Sequence, residues 1–207
     1  MYLGRIALLA ALVAVAIEPL AGAARPAATR TSGGISDCVG ERSQVGALTD
    51  AAAVRVNLVP RRTTIAALGR LAVPKRFGPA RIRGVEMTTY RIEARLVEMK
   101  LERDGDVFLA VVDPGSHATM VVEFPSLSCI GRAGARVRTL MRGARAALVA
   151  ACGEPDRGSF TRVGGAATVT GVAFVAPGRA APDAAPNGLE LRPVLGFRIA
   201  ECVLGAG

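Results

Sequence analysis

The chain has 207 residues, is 51% hydrophobic and only 4% aromatic, and carries a formal charge of +9 at pH 7. So much apolar residue excludes an intrinsically disordered protein, and the length fits one compact domain with a core of ordinary size. The positive charge favours polyanions such as nucleic acid, anionic wall polymers or lipid headgroups, but lysine occurs only at Lys75 and Lys100 amid abundant Arg, Ala and Gly, a skew that GC-rich coding alone would produce.

Arg5, the apolar run Ile6 to Ala16 and the small residues Ala21-Gly22-Ala23 read as a signal peptide over residues 1–23, cleaved near Ala23. That run is too short to span a bilayer, and no later stretch reaches the ~20 apolar residues a membrane helix needs. The mature chain is expected to be secreted, without a membrane segment, and no cysteine follows the leader closely enough for lipid attachment. Residues 24–36, rich in Ala, Thr, Gly and Pro, read as a disordered tether. Residues 37–85 form an N-terminal arm with the short apolar piece Val54 to Val59. Thr63 or Thr64 then caps one or two helical turns, and Pro74 and Pro79 punctuate a loop.

From Glu86 the period becomes two. Tyr90, Ile92, Ala94 and Leu96 fall on one face and Arg91, Glu93 and Arg95 on the other, which predicts a strand to about Leu101. Glu102-Arg103-Asp104-Gly105 predicts a type I′ hairpin turn, and the strand back is Asp106 to Val112. After Asp113-Pro114-Gly115-Ser116, a third strand runs from Ala118 to Phe124 and stops at Pro125. A helix follows over Ala135 to Ala151, with Val137, Leu140, Met141, Ala144, Leu148 and Ala151 on one side and Arg138, Arg142 and Arg145 on another. Cys152-Gly153 caps it and Pro155 ends it. A fourth strand, Ala166 to Val175, and a fifth, Leu189 to Cys202, flank a loop over Ala176 to Gly188. The order β-β-β-α-β-β predicts an OB-fold-like five-stranded barrel over residues 86–203, mainly β with one main helix, and Gly164, Gly165, Gly171 and Gly196 would supply its bends. Tyr90, Phe108, Phe174 and Phe197 are expected in the core.

Cys38, Cys129, Cys152 and Cys202 in an exported chain read as two disulfides. Cys129 and Cys152 bracket the helix and are expected to pair, leaving Cys38 to Cys202; the two other connectivities remain open. A zinc site is not expected, because the cysteines lack close pairs.

Several segments carry a resemblance: Arg103 to Leu109, Met120 to Pro125, Met141 to Gly153, Thr170-Gly171-Val172 and Ala185 to Leu191. The chain resembles a family of secreted bacterial proteins of unassigned function, with similar leaders, cysteines and an Ala-Pro-Asn-Gly-x-Glu-Leu-x-Pro-Val-Leu tail. It departs from that pattern where the family has His-Gly-Gln and a later His: here stand Pro177-Gly178-Arg179-Ala180 and Arg192. Arginine neither binds a metal nor exchanges a proton near neutral pH, so the resemblance implies neither role at this edge.

Three groups of residues suggest sharper sites. A barrel with an Asp-Gly-Asp turn also resembles the staphylococcal-type nuclease scaffold, which would enlist Asp104, Asp106, Asp113 and Glu123 around calcium for phosphodiester hydrolysis. No Asp-Thr-Pro-Glu stretch follows the third strand, however, and turn geometry already explains the Asp-Gly pair. Ser116, His117 and Asp113 share one tight turn, where neighbours seldom aim at a common atom. The helix arginines Arg138, Arg142 and Arg145, extended by Arg132, Arg136, Arg162 and Arg192, form a candidate stripe for an anionic polymer of cell-wall or nucleic-acid type. The expectation is therefore a monomeric, exported, disulfide-stapled binding or structural module that prefers polyanions. No cofactor or metal is expected, and a calcium-dependent phosphodiesterase is the alternative.

Overall fold

The alternation that begins at Tyr90 produces a 14-residue strand, Thr88–Leu101, around which the other strands close. The computed structural model describes Cys38, residues 42–177 and residues 183–205; the expected leader and tether, and Gly178 to Ala180 of the loop before the last long strand, lie outside the described residues. In chain order the elements are α1 (Ser43–Gly46), a 3-10 turn (Ala53–Arg55), β1 (Asn57–Arg62), α2 (Ile65–Leu68), β2 (Thr88–Leu101), β3 (Val107–Val112) and β4 (Thr119–Phe124). There follow α3 (Ala135–Cys152), β5 (Thr161–Gly164), β6 (Ala166–Val175), β7 (Leu189–Ile199) and β8 (Val203–Leu204).

Five strands close a ring. β2 runs antiparallel to β3, β3 to β4, β4 parallel to β7, β7 antiparallel to β6, and β6 back to β2. With α3 between the third and fourth ring strands, this is the expected OB-fold-like barrel. β1, β5 and β8 lie outside the ring: β1 runs parallel to β2, β5 pairs with Glu98 and Met99 near the end of β2, and β8 pairs with β5. The piece Val54 to Val59 becomes the 3-10 turn and the start of β1, with Val54 and Val59 largely in solvent. The expected fifth strand stops at Ile199, short of Cys202.

The two-residue period selects the interior correctly. Tyr90, Ile92, Ala94 and Leu96 of β2 pack with Val107, Leu109 and Val111 of β3 and with Met120, Val122 and Phe124 of β4. A bulge between Leu96 and Glu98 shifts the phase, so Met99 returns to the interior. Two helices add to this core: α3 contributes Ala144, Leu148 and Cys152, and α2 contributes Ile65 and Leu68. Each large side chain buried this way contributes about 1.5–3 kcal/mol. Leu140 and Ala151, expected on the apolar side of α3, are exposed because the contact stripe is narrower, running Met141, Ala144, Leu148, Cys152. Phe108 and Phe174 are buried as expected, but outside the barrel's main core cluster.

Local chemistry sets the ends of these elements. Thr64 is the helix cap, its Oγ1 accepting from the Ala67 N–H at 3.1 Å. Asn187 Nδ2 donates to the carbonyls of Leu68 and Leu71 at the other end of α2. The hairpin after β2 is not the expected type I′ turn, since Gly105 is its only residue with positive φ, at 85°. Gly105 N–H donates to Glu102 O at 3.0 Å and Glu102 N–H to Asp106 O at 2.8 Å, which makes a three-residue loop closed by a glycine bulge.

The disulfides are Cys38–Cys129 and Cys152–Cys202, which corrects the expected Cys129–Cys152 and Cys38–Cys202 pairs. At 1.5 Å per residue, α3 carries Cys152 roughly 27 Å from its own start. It therefore meets the chain just beyond β7, while Cys129 stays near the start of α3 and bonds the segment that leads into α1. Under the chain-entropy account, loops of 91 and 50 residues are each worth roughly 4 to 5 kcal/mol.

Of the glycines expected to bend the strands, Gly165 and Gly171 have the stricter requirement. Gly165, at φ 127° between β5 and β6, would bring a Cβ within 2.3 Å of the Glu201 carbonyl oxygen, and Gly171 would bring one within 2.9 Å of the Leu191 Cβ at a register shift. Gly164 and Gly196 have ordinary clearance. Gly165→Ala is accordingly expected to cost about 3 kcal/mol or more and Gly164→Ala less than about 1 kcal/mol, a contrast that urea denaturation of the two variants side by side will read.

Candidate functional site

Asp106 and Glu123 come together; Asp104 and Asp113 stay apart. Asp113 Oδ1 accepts from the Gly115 and Ser116 N–H groups, and its Oδ2 from Ile65 and Ala66 at the start of α2. Burial alone would raise its pKa, but the N–H donors hold it below the ordinary value. Asp104 remains in the hairpin, accepting from the Asp106 N–H at 3.2 Å. His117 is exposed at φ 58°, and its side chain forms no hydrogen bond to Ser116 or Asp113, although the Ser116 side chain reaches Asp113.

Asp106 and Glu123 converge on Arg192. The guanidinium donates to Asp106 Oδ2 at 2.6 Å and lies 2.5 Å from Glu123 Oε2, while Asp106 Oδ1 takes the Ser126 N–H at 2.6 Å. Glu190 is buried two residues before Arg192 on the same strand. A Cβ on Gly46 of α1 would lie 2.5 Å from Arg192 Nε, so α1 sits directly on this side chain. The Phe174 ring lies 5.3 Å from the Arg192 guanidinium and 5.1 Å from that of Arg42, which forms a fully buried ion pair with Glu86. Burial pushes Asp106 up to about 6 against the pull of Arg192, and pushes Glu123 well above the usual carboxylate range.

Those acids already hold a guanidinium across both of its nitrogens, so the donor set does not fit a calcium ion. Among the described residues, no group of three or more His, Cys, Asp or Glu side chains is placed to hold a metal.

The expected basic stripe also dissolves. Arg138 Nη1 donates to the carbonyls of Gly131 and Ala133, and Arg145 Nη1 to those of Gly105, Phe124 and Pro125. Arg192 is the half-buried partner of Asp106 and Glu123 just described, and Arg132 lines a separate hollow beside the Cys38–Cys129 disulfide. Arg142 is exposed. Helical spacing put three arginines on one side, but nearby loop carbonyls claimed two of them.

A different basic surface exists. The outer faces of β2, β6 and β7 floor a cleft of about 560 Å³, walled by β1 and α3. Across the floor Arg91 is the register partner of Thr170 and Thr170 of Gly196; Glu93 partners Thr168 and Thr168 partners Arg198. Arg62 enters from β1 and Arg136 from α3. Arg91 Nε donates to Thr170 Oγ1 at 3.2 Å, and Thr168 Oγ1 to Glu93 Oε2 at 2.9 Å. The side chains of Arg62, Arg136 and Arg198 are exposed and unpartnered among the described residues. Four arginines thus face one glutamate in a concavity of ligand-binding size. Alternation places Arg91 and Glu93 on the outer face, and Arg136 belongs to the expected basic patch; Arg62 and Arg198 are not among the expected site residues, although Arg198 follows Phe197 in the alternation of the last strand.

No protein-family model matches the chain, and neither does any curated protein or solved structure. The fold and the cleft define it by class alone: a disulfide-stapled OB-fold-like barrel with an arginine-lined cleft on its outer face.

Removing the Arg192 guanidinium strands two buried carboxylates, so Arg192→Met is expected to cost about 3–5 kcal/mol in urea denaturation, part of it recovered by adding Asp106→Asn. The raised pKa of Asp106 means that the folded state keeps its proton to higher pH than the unfolded chain does. The resulting stability, up to about 3 kcal/mol, is full below about pH 4 and lost as pH rises through about 6. Thermal melts between about pH 4.5 and 7.5 should show the wild type losing more stability on alkalinisation than Asp106→Asn does.

Proposed function

We propose that the protein is exported and acts as a binding module, with no chemistry of its own, that takes an anionic ligand in the cleft between β1, α3 and the β2–β6–β7 floor. The observation that carries this reading is the gathering of Arg62, Arg91, Arg136 and Arg198 around one cavity, three of them unpartnered. A guanidinium fork matches a carboxylate, sulfate or phosphate, and charges converging in a concavity favour an anion more than the same charges scattered over a surface. Export rests on the leader-like residues 1–23. Two disulfides are compatible with an oxidising compartment, and among the described residues no helix is long and apolar enough to cross a membrane. The resemblance to secreted bacterial proteins supports the same location. Asp106 and Glu123, engaged with Arg192, lend nothing to the phosphodiesterase alternative.

The test is binding to immobilised heparin across a salt series. Wild type is expected to bind saturably with a steep salt dependence, and the double variant Arg91→Ala/Arg198→Ala to lose about tenfold in affinity and about two from the salt slope. Arg132→Ala/Arg142→Ala, which removes two exposed charges outside the cleft, should change little. Equal losses in both pairs would mean diffuse charge and no site.

A further inference from the structure

We infer that the ligand of this cleft is an acidic saccharide, a chain of hexuronic acid units, and not a single-stranded nucleic acid; this rests on the binding reading above and specifies its ligand. The argument begins with the inventory of donors and acceptors. Arg62, Arg136 and Arg198 present free N–H forks, and Arg91 keeps its terminal nitrogens after its Nε bonds Thr170. Against these donors stands one carboxylate, Glu93, whose Oε2 is taken by Thr168 and whose Oε1 is open to accept.

A ligand that is anionic and nothing else is repelled at Glu93. One whose carboxylates alternate with hydroxyls satisfies both halves of the site, carboxylate to arginine and hydroxyl to Glu93. The floor is low: Thr168 and Thr170 are short, and Gly196 has no side chain although a Cβ there would make only ordinary contacts. A pyranose ring can lie flat on such a floor, with Pro60 and Leu140 on the walls beside its edge.

Nucleic acid asks for something else. Binding of single strands relies on bases stacking on aromatic rings. Phe197, the one aromatic lining this cleft among the described residues, is 5% exposed and packs edge-to-face on Phe124 inside the barrel. The cleft volume of about 560 Å³ lies within the ~300–1,000 Å³ range of small-ligand sites.

The experiment is calorimetric titration of the intact, oxidised protein with three probes: a hexuronic acid trimer, its methyl ester, and a short single-stranded oligonucleotide of equal charge. The trimer is expected to bind at least about tenfold more tightly than either of the others. Glu93→Ala supplies the deciding sign, because it should weaken the trimer about fivefold and tighten the oligonucleotide. Thr168→Val, which removes the hydroxyl that orients Glu93, should act on the trimer in the same direction. Both positions lie on the outer face, and a thermal melt of each variant checks its fold. If Glu93→Ala tightens trimer and oligonucleotide alike, the cleft reads charge alone and the saccharide inference falls while the anion-binding reading stands. If the ester or the oligonucleotide binds as well as the trimer, the inference falls too, and if no anionic probe binds saturably, the binding reading falls with it.

Discussion

The barrel closes where β4 meets β7, and that seam is held more by side chains than by backbone. Val122 and Leu191 are its single register pair, whereas β3 and β4 share six. Pro193 has no N–H to give, which cuts the ladder short two residues beyond Leu191. Two side-chain contacts cross the seam. On the outside, Arg192 of β7 reaches Glu123 of β4 and Asp106 at the start of β3; on the inside, Phe124 and Phe197 meet edge-to-face at 5.7 Å. A buried ion cluster of this kind adds little net stability, since desolvation offsets most of its Coulomb gain, but a slipped register would leave charges buried and unpaired. Its effect is on which register closes the ring.

Much of the periphery is tied to the ends of these seam strands. Arg145 of α3 fastens the hairpin at Gly105 to the end of β4 at Phe124 and Pro125. The Cys38–Cys129 bond joins the segment entering α1 to the loop just beyond β4, and Cys152–Cys202 joins the end of α3 to the chain just beyond β7. With α1 seated on Arg192, this outer face is largely covered, the arginine keeping 15% of its side chain exposed. The cleft opens instead over the outer faces of β2, β6 and β7, flanked by β1 and α3.

This division explains what could be read from the sequence. Strand order and interior were legible because alternation with period two is a direct record of which face is buried, and it held from Tyr90 to Leu96 without exception. The disulfide pairing was not, because it depends on where an 18-residue helix delivers Cys152, and position along the chain does not contain that distance. Arg192 reads as one more surface arginine in a chain full of them; only the fold shows three buried acids around it. Asp106, Glu123 and Glu190 lie in three separate segments of the chain, 103–109, 120–125 and 185–191, and only the fold brings them to one arginine. Arg62 was invisible because β1 pairs with a strand that begins more than twenty residues later, a parallel contact that no local pattern announces.

The seam and the cleft are also linked through charge. Glu86, Asp106, Asp113, Glu123 and Glu190 are all buried, taking acids that would otherwise intersperse with arginine at the surface and using them on interior guanidinium and N–H groups. The arginines left outside therefore face few carboxylates, and in the cleft, among the described residues, they face Glu93 alone. A GC-rich genome can make a protein rich in arginine; it does not decide which arginines remain unpaired. Here the fold decides, by closing the barrel with acids, and the cleft inherits a positive field that its own few residues would not have if the same acids lay on the surface around it.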